Sequence, residues 1–318
     1  MSQALFCATD RDDMHAPSIS LLGKRFVICV PYTWLLLFFC LPFLILLYIS
    51  LVDVGNDIAP FKPLWDSETG ILKLKYENYL SIFRIGDGGG LFKTIYIEAF
   101  LRSIWYALCT ALLCLVIAYP FSYFIATASP RVRPALLMMV MLPFWTSFLL
   151  RVYAWKGILA DQGVLNQALI FLGLTTEPIL MLYTNVSMLV GMTYVYLPFM
   201  ILPLYANLVK MDFRLLEAAY DLGASPLKAF WLVTVPLSRT GIIAGFMLVF
   251  IPSLGEFVIP SLLGGPENIM IGRVVWDELF SSNNWPRASA LAVIMIAVIV
   301  VPLAVYYHYT GESADARK

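Results

Sequence analysis

Six times along its 318 residues this chain stays apolar for about 20 residues or more, at roughly 27–51, 99–127, 134–154, 182–206, 240–263 and 288–309. A helix of that length crosses the hydrocarbon core of a bilayer, and its backbone groups bond to one another where no water is available. The chain is 60% hydrophobic and 13% charged, far from the balance of a soluble domain. The expected fold is therefore an all-α integral membrane protein of six transmembrane helices. A seventh apolar stretch, 164–174, is short and interrupted by Asn166 and Gln167, which suits a helix lying at the interface.

Charge and cysteine content narrow the possible functions. Twenty-one basic residues balance 21 acidic ones, so no overall field favours nucleic acid. Cys7, Cys29, Cys40, Cys109 and Cys114 form no CxxC pair and no cysteine-histidine cluster. They read as small packing residues, not as a metal site or a disulfide framework. His15 and His308 stand isolated near the two ends, and no Ser/His/Asp, Cys/His or metal-ligand set is visible. An enzymatic role has no visible machinery. The acid-bearing tail ahead of the first apolar run, and the length of that run, point to a retained anchor and not to a cleaved signal peptide.

Six spans put both termini on one side of the membrane. Lys and Arg totals on the two sides are nearly even, but the short groups "GKR" before the first span and "SPRVRP" between the second and third favour cytoplasmic termini. The expected layout is a cytoplasmic tail at 1–26, a transmembrane domain at 27–309, a cytoplasmic loop at 207–239 and a cytoplasmic C-terminal tail at 310–318. The outer segments are then about 52–98, 155–181 and 264–287. The first of these contains "GDGGG" at Gly86 to Gly90, a flexible punctuation mark. No GxxxxGK[ST] phosphate-binding loop occurs, so any ATP must be bound by another subunit.

The loop "MDFRLLEAAYDLGASPLKAFWLVTVPLSRTG", Met211 to Gly241, has readable local chemistry. Asp212 can cap a short helix, Gly223 can end it in a left-handed conformation, Ser225 can cap a second, and Pro226 suits its first position. Ala218 and Ala219 side by side let another surface approach the backbone closely, with Glu217 beside them. The residues alone permit two readings, a rigid handle for a partner or an ordinary capped hairpin.

The spacing Glu217-Ala218-Ala219-xxx-Gly223, then nine residues to Val233-x-Val235-Pro236, resembles the EAA-xxx-G-x9-I-x-L-P signature of ABC-importer permeases, with valine at both branched positions. The segments "PYTWLLLFFCLPFLILLYISL", "LPFWTSFLLRVYAWKGIL", "YVYLPFMILPLY", "DLGASPLKAFW", "GEFVIPSLLGGPENIMIGRVVW" and "NWPRASA" are similar to the permeases of bacterial putrescine and spermidine importers, most of all the putrescine type. The likeness runs from about Lys24 to Tyr309 and leaves out the N-terminal tail. It implies a type I ABC importer permease fold in the bacterial inner membrane. The implied partners are a homologous second permease, two ATP-binding subunits holding ATP and Mg²⁺, and a periplasmic polyamine-binding protein. It also implies that Glu217, Ala218, Ala219, Gly223 and Pro236 belong to a coupling helix and its following turn, seated on the ATPase. The chain itself is expected to bind no cofactor or metal.

A polyamine path needs carboxylates and aromatic faces to replace water around the ammonium groups. Glu256, inside "VFIPSLGEFVIPSLLGG", is the leading carboxylate. On a continuous helix Pro252, Glu256 and Pro260 share one face, and both prolines favour a kink. Glu256 then serves a substrate path or gate, or pairs structurally with Arg151 or with the second permease. Arg151 repels a polycation and fits a salt-bridge or snorkelling role. Trp145, Tyr153, Tyr194 and Tyr196 are candidate aromatic faces, as is Trp155; any of them could instead belong to the aromatic belt. Asp161, Glu177, Glu267, Asp277 and Glu278 are outer acids that could contact the binding protein, with solvation the default for any one of them. The rival functions are an ABC permease for another small solute, an ion-coupled carrier using Glu256 as a proton site, and a membrane enzyme or scaffold. The last two have no need of the coupling loop.

Overall fold

The structure, a computed structural model, describes residues 21–56, 59–64, 74–83 and 95–315. Most of the N-terminal tail, with Cys7 and His15, and the Gly86 to Gly90 stretch lie outside the described residues. The chain forms two compact units, residues 1–48 and 49–318. In the first, α1 (Leu21–Leu35) runs through one π turn, Leu36–Cys40, into α2 (Leu41–Ser50). The described side chains from Ile28 to Tyr48 are almost all exposed, though nearly all are apolar. Such a surface belongs in lipid or against another membrane protein.

The second unit opens with a small antiparallel pair, β1 (Val54–Asn56) and β2 (Ala59–Phe61), and the short α3 (Glu77–Phe83). Next come α4 (Ile95–Thr127), α5 (Arg133–Met141) with a 3₁₀ turn over Leu142–Trp145, α6 (Phe148–Leu159), α7 (Val164–Phe171) and α8 (Asn185–Leu208). The loop elements α9 (Arg214–Asp221), α10 (Pro226–Ala229) and α11 (Val235–Leu237) lead into α12 (Arg239–Leu254) and α13 (Val258–Leu263). The chain finishes with α14 (Ile271–Trp276) and α15 (Trp285–Asp315), so helix continues past the expected end of the last span at residue 309.

The core is a trio of helices, α4, α8 and α12, each packed on the other two. On α4, Ala107, Ala111, Cys114 and Ala118 are fully buried at helical spacing, giving a narrow face that lets the neighbouring backbones come close. Gly245 does the same on α12. A methyl group there would sit 2.7 Å from Met200 Sδ and 3.2 Å from the Met200 carbonyl oxygen. Met188, Met192, Met200 and Leu204 of α8 fill the centre, and Ile259 and Leu263 of α13 join the same cluster. A second cluster ties Ile82 of α3 and Phe100 of α4 to Ile271 of α14 and Leu291 of α15.

Two of the six expected spans are not single helices. Helices Ile28–Ser50, Ile95–Thr127 and Asn185–Leu208 are long and apolar enough to cross a membrane, and the number rises to five if each of two bent pairs is one span. The stretch expected as a straight span at 134–154 bends by 86° between Arg133–Trp145 and Phe148–Phe171. The cause is local: Thr146 and Ser147 are extended, with ψ of 151° and 139°, after a turn opened by Pro143. The stretch expected at 240–263 stops at Leu254 and resumes at Val258. Among the described residues, the final apolar segment, Trp285–Val301, is shorter. The segment expected at the interface forms α7, whose Asn166 turns inward to bond the Ala160 and Ile179 carbonyls and the Ile179 amide, leaving Val164 and Phe171 exposed.

Candidate functional site: a coupling loop and a carboxylate at a helix break

In the 207–239 loop Gly223, Ser225 and Pro226 take their expected places, whereas Asp212 lies one residue outside the N-cap of α9, which is Phe213. The Arg214 amide donates to Asp212 Oδ1, so the carboxylate covers the free end of α9 from just outside it. Gly223 has φ +81°, the left-handed conformation that a β-carbon disfavours, and it ends α9. Ser225 accepts from the Lys228 amide and Pro226 opens α10. A π turn over Phe230–Thr234 continues into α11, where Pro236 sits in the first turn. The segment Pro226–Leu237 meets Arg239–Leu254 at 69°.

This loop has one face anchored and one face open. Leu216 is buried, Phe213 packs edge-on to Tyr123, and Phe230 packs edge-on to Tyr119 of α4. Tyr119 also shares a hydrogen bond of 2.7 Å with Ser238 at the bend into α12. The other side presents Glu217 and Ala218 with Leu222, which is 89% exposed, and Leu227, Trp231 and Leu232. Exposed apolar side chains around a carboxylate make an uncovered contact surface.

Glu256 occupies the break between α12 and α13 and is 8% exposed. One oxygen accepts from the amides of Phe257 at 3.1 Å, Val258 at 3.0 Å and Ile259 at 3.4 Å, and so caps α13. The other accepts from the Tyr196 hydroxyl of α8 at 2.5 Å. Four donors satisfy a carboxyl group that would otherwise be costly to bury. The shared helical face of Pro252, Glu256 and Pro260 therefore does not exist: Gly255 ends α12, the carboxylate binds backbone amides, and Pro260 lies in the first turn of α13, where a missing N–H costs nothing. At its other end α13 is held by Ser187 Oγ, which donates to the Leu263 carbonyl at 2.7 Å.

The remaining candidates separate. Tyr196 is buried with Glu256, whereas Tyr194 packs edge-on to Trp155 and lines a cavity of about 360 Å³ with Arg151. Trp145 is 78% exposed and Tyr153 55% exposed, and neither belongs to the Glu256 cluster. Arg151 neither pairs with Glu256 nor snorkels. It is 8% exposed, with its guanidinium over the Phe144 ring at 5.2 Å and no ion pair among the described residues.

One outer acid is not solvated. Glu278 accepts from Tyr96 at 2.5 Å and lies 3.8 Å from Arg287, with little of its side chain exposed. Asp277 lies 3.8 Å from Arg273, and the Glu267 carbonyl accepts from Arg102. Residue spacing could not show that Trp276 stacks on Phe257 beside the Glu256 break at 4.7 Å between centroids, with Phe280 tilted against it at 4.2 Å.

The family described as "Binding-protein-dependent transport system inner membrane component" matches residues 24–310. The spermidine/putrescine transport system permease protein PotB of Haemophilus influenzae is 36% identical over 285 residues, covering 89% of this chain and 93% of that protein. PotB of Escherichia coli K12 is 36% identical over 274 residues, covering 86% and 93%. A chain of a bacterial ABC transporter involved in the import of the acidic polysaccharide alginate shares the fold, with a TM-score of 0.60 over 92% of this chain and 97% of that one at 16% identity. These relatives are transporter subunits, not enzymes. The loop with its anchored and its open face, and the match across nearly the whole chain, lead to one assignment: this chain belongs to the family of binding-protein-dependent transport system inner membrane components, the permeases of ABC importers.

Proposed function

We propose that this chain forms half of the path by which an ATP-driven importer carries putrescine or a related polyamine across the bacterial inner membrane. A periplasmic binding protein delivers the substrate, and a homologous second permease completes the path. Two ATPase subunits, holding ATP and Mg²⁺, seat on the loop around Glu217, Ala218, Ala219 and Gly223, with Pro236 in the turn that follows. Six spans, with both termini cytoplasmic, are part of this reading. The polyamine is supported by the 36% identity to spermidine/putrescine permeases over nearly nine-tenths of the chain.

The observation that carries the reading is the continuity from the open face of α9 to the break at Glu256. ATP-driven closure pulls on α9. The loop moves as a body because Phe213 and Phe230 bind it to α4 and the Tyr119 to Ser238 bond fixes its corner. The corner passes the motion into α12, which ends next to Glu256. A shift of α12 against α8 parts Tyr196 from Glu256, and the released oxygen becomes available to an ammonium group while the other still caps α13. Binding of a cation at one state only is what lets a conformational change move it.

The test is uptake by the reconstituted importer, with its ATPase, second permease and binding protein, of labelled putrescine and spermidine. ATP-dependent uptake that is competed by unlabelled polyamine but not by amino acids is expected. Uptake driven by a proton gradient without ATP would instead establish the ion-coupled carrier. ATP-dependent uptake of another solute alone would overturn the polyamine assignment and leave the permease intact.

A further inference from the structure

Arg151 carries a charge that no carboxylate among the described residues neutralises. It is 8% exposed, and its Nε is buried without a hydrogen-bond partner. Its nearest electrostatic partner among the described residues is the face of Phe144, 5.2 Å away. Glu256, the carboxylate that could have answered it, already accepts from three amides and Tyr196. A buried guanidinium left this way costs several kcal/mol unless an anion completes it.

The surroundings say where that anion comes from. Arg151 lines a cavity of about 360 Å³ whose walls include Leu150, Ala154, Trp155 and Tyr194. Leu150 and Ala154 are also exposed, together with Leu149, Tyr153 and Gly157, so the cavity opens onto an apolar stripe of α6. Ala154 and Gly157 are small, and a methyl group added at Gly157 would meet nothing, which leaves room for a close-packed helix.

The open apolar stripe around the cavity, with small residues at Ala154 and Gly157, matches a packed helix, so a protein segment is the fitting source of the missing anion.

We propose that the Arg151 cavity receives an aspartate or glutamate side chain from a membrane helix of the second permease, making an intramembrane ion pair that locks the two subunits in register. This rests on the pairing of two permeases proposed above. A substrate cation is repelled from the same cavity, so the pair belongs to assembly and not to the transport path.

The test uses the importer coexpressed with its second permease and ATPase in native lipid. Arg151→Met is expected to lower the second permease retained on this chain by more than about tenfold, and Arg151→Lys to retain most of it. Arg151→Glu is expected to fail, and to recover when one intramembrane carboxylate of the second permease is changed to lysine, a recovery that a mere folding defect would not give. Unchanged retention with Arg151→Met overturns the inference. So does failure of every charge reversal to restore Arg151→Glu, or restoration of Arg151→Met retention by added anionic lipid. If the wild-type chain retains no second permease, the paired reading itself fails, an outcome distinct from all of these.

Discussion

Tyr196 and Glu256, 60 residues apart in sequence, meet at 2.5 Å across the boundary between α8 and the break that separates α12 from α13. The carboxylate divides its two oxygens between a tertiary contact and a helix cap. Under the proposed function, the cap serves stability and the oxygen facing Tyr196 serves the gate.

Substitutions at this pair separate the two duties. Glu256→Ala leaves the amides of Phe257, Val258 and Ile259 without their acceptor and is expected to destabilise the purified protein by about 2–3 kcal/mol. Tyr196→Phe removes only the second oxygen's donor and is expected to cost about 1–2 kcal/mol. Thermal unfolding of both single variants and of the double variant measures the coupling. Strict additivity would show that the two residues do not act as a pair.

At Gly223 the backbone sits at φ +81°, so Gly223→Val adds roughly 1–2 kcal/mol of strain at the corner of the coupling loop. ATPase copurification and ATP-driven uptake are both expected to fall, while Gly223→Asn, which tolerates this conformation, keeps more of each. Equal performance of the valine and asparagine variants would refute a role for the left-handed turn.

The contact of α8 with α12 depends on the absence of a side chain. Gly245→Ala places a methyl group 2.7 Å from Met200 Sδ and 3.2 Å from a carbonyl oxygen that cannot swing away. The expected cost is about 1–3 kcal/mol by thermal unfolding, partly relieved by adding Met200→Ala. No relief from the second change would locate the strain elsewhere.

On the loop after α2, Lys75 donates to Asp53 at 2.7 Å, and the Lys75 amide bonds the Leu51 carbonyl. The bond to Lys75 holds the Asp53 carboxyl below its usual value, and the bond to Asp53 raises the Lys75 ammonium. The Asp53 contribution is complete above the ordinary carboxylate pKa of about 4 and is lost as pH falls through the lowered folded value. The Lys75 contribution is complete below about pH 10 and is lost as pH rises through its raised folded value. Both side chains are more than a third exposed, so the pair is worth at most about 1 kcal/mol. Intrinsically corrected exchange protection of the Lys75 amide should stay level from about pH 5 to 9 and drop severalfold in Asp53→Asn. Protection that is the same in the variant would remove the pair from the account.

The sequence by itself determined the elements whose causes are local. Apolar length marked the first span and those through α4 and α8, because helix in lipid needs only its own backbone partners. Gly223, Ser225 and Pro226 announced the corner between α9 and α10, because a cap acts within a few residues of itself. Tertiary structure decided the rest. Periodicity made Glu256 one face of a kinked helix, although Gly255 before it and Pro260 four residues after it already form a stop and a restart. Whether the carboxylate would reach an arginine, a substrate or the backbone depended on where α8 placed Tyr196. Arg151 shows the same limit: its position near the end of a span suggested escape to the surface, but the 86° bend at Thr146 and Ser147 folded it into the protein instead. A charge's partners are fixed by distances of a few ångströms between segments far apart in the chain, and only packing sets those distances.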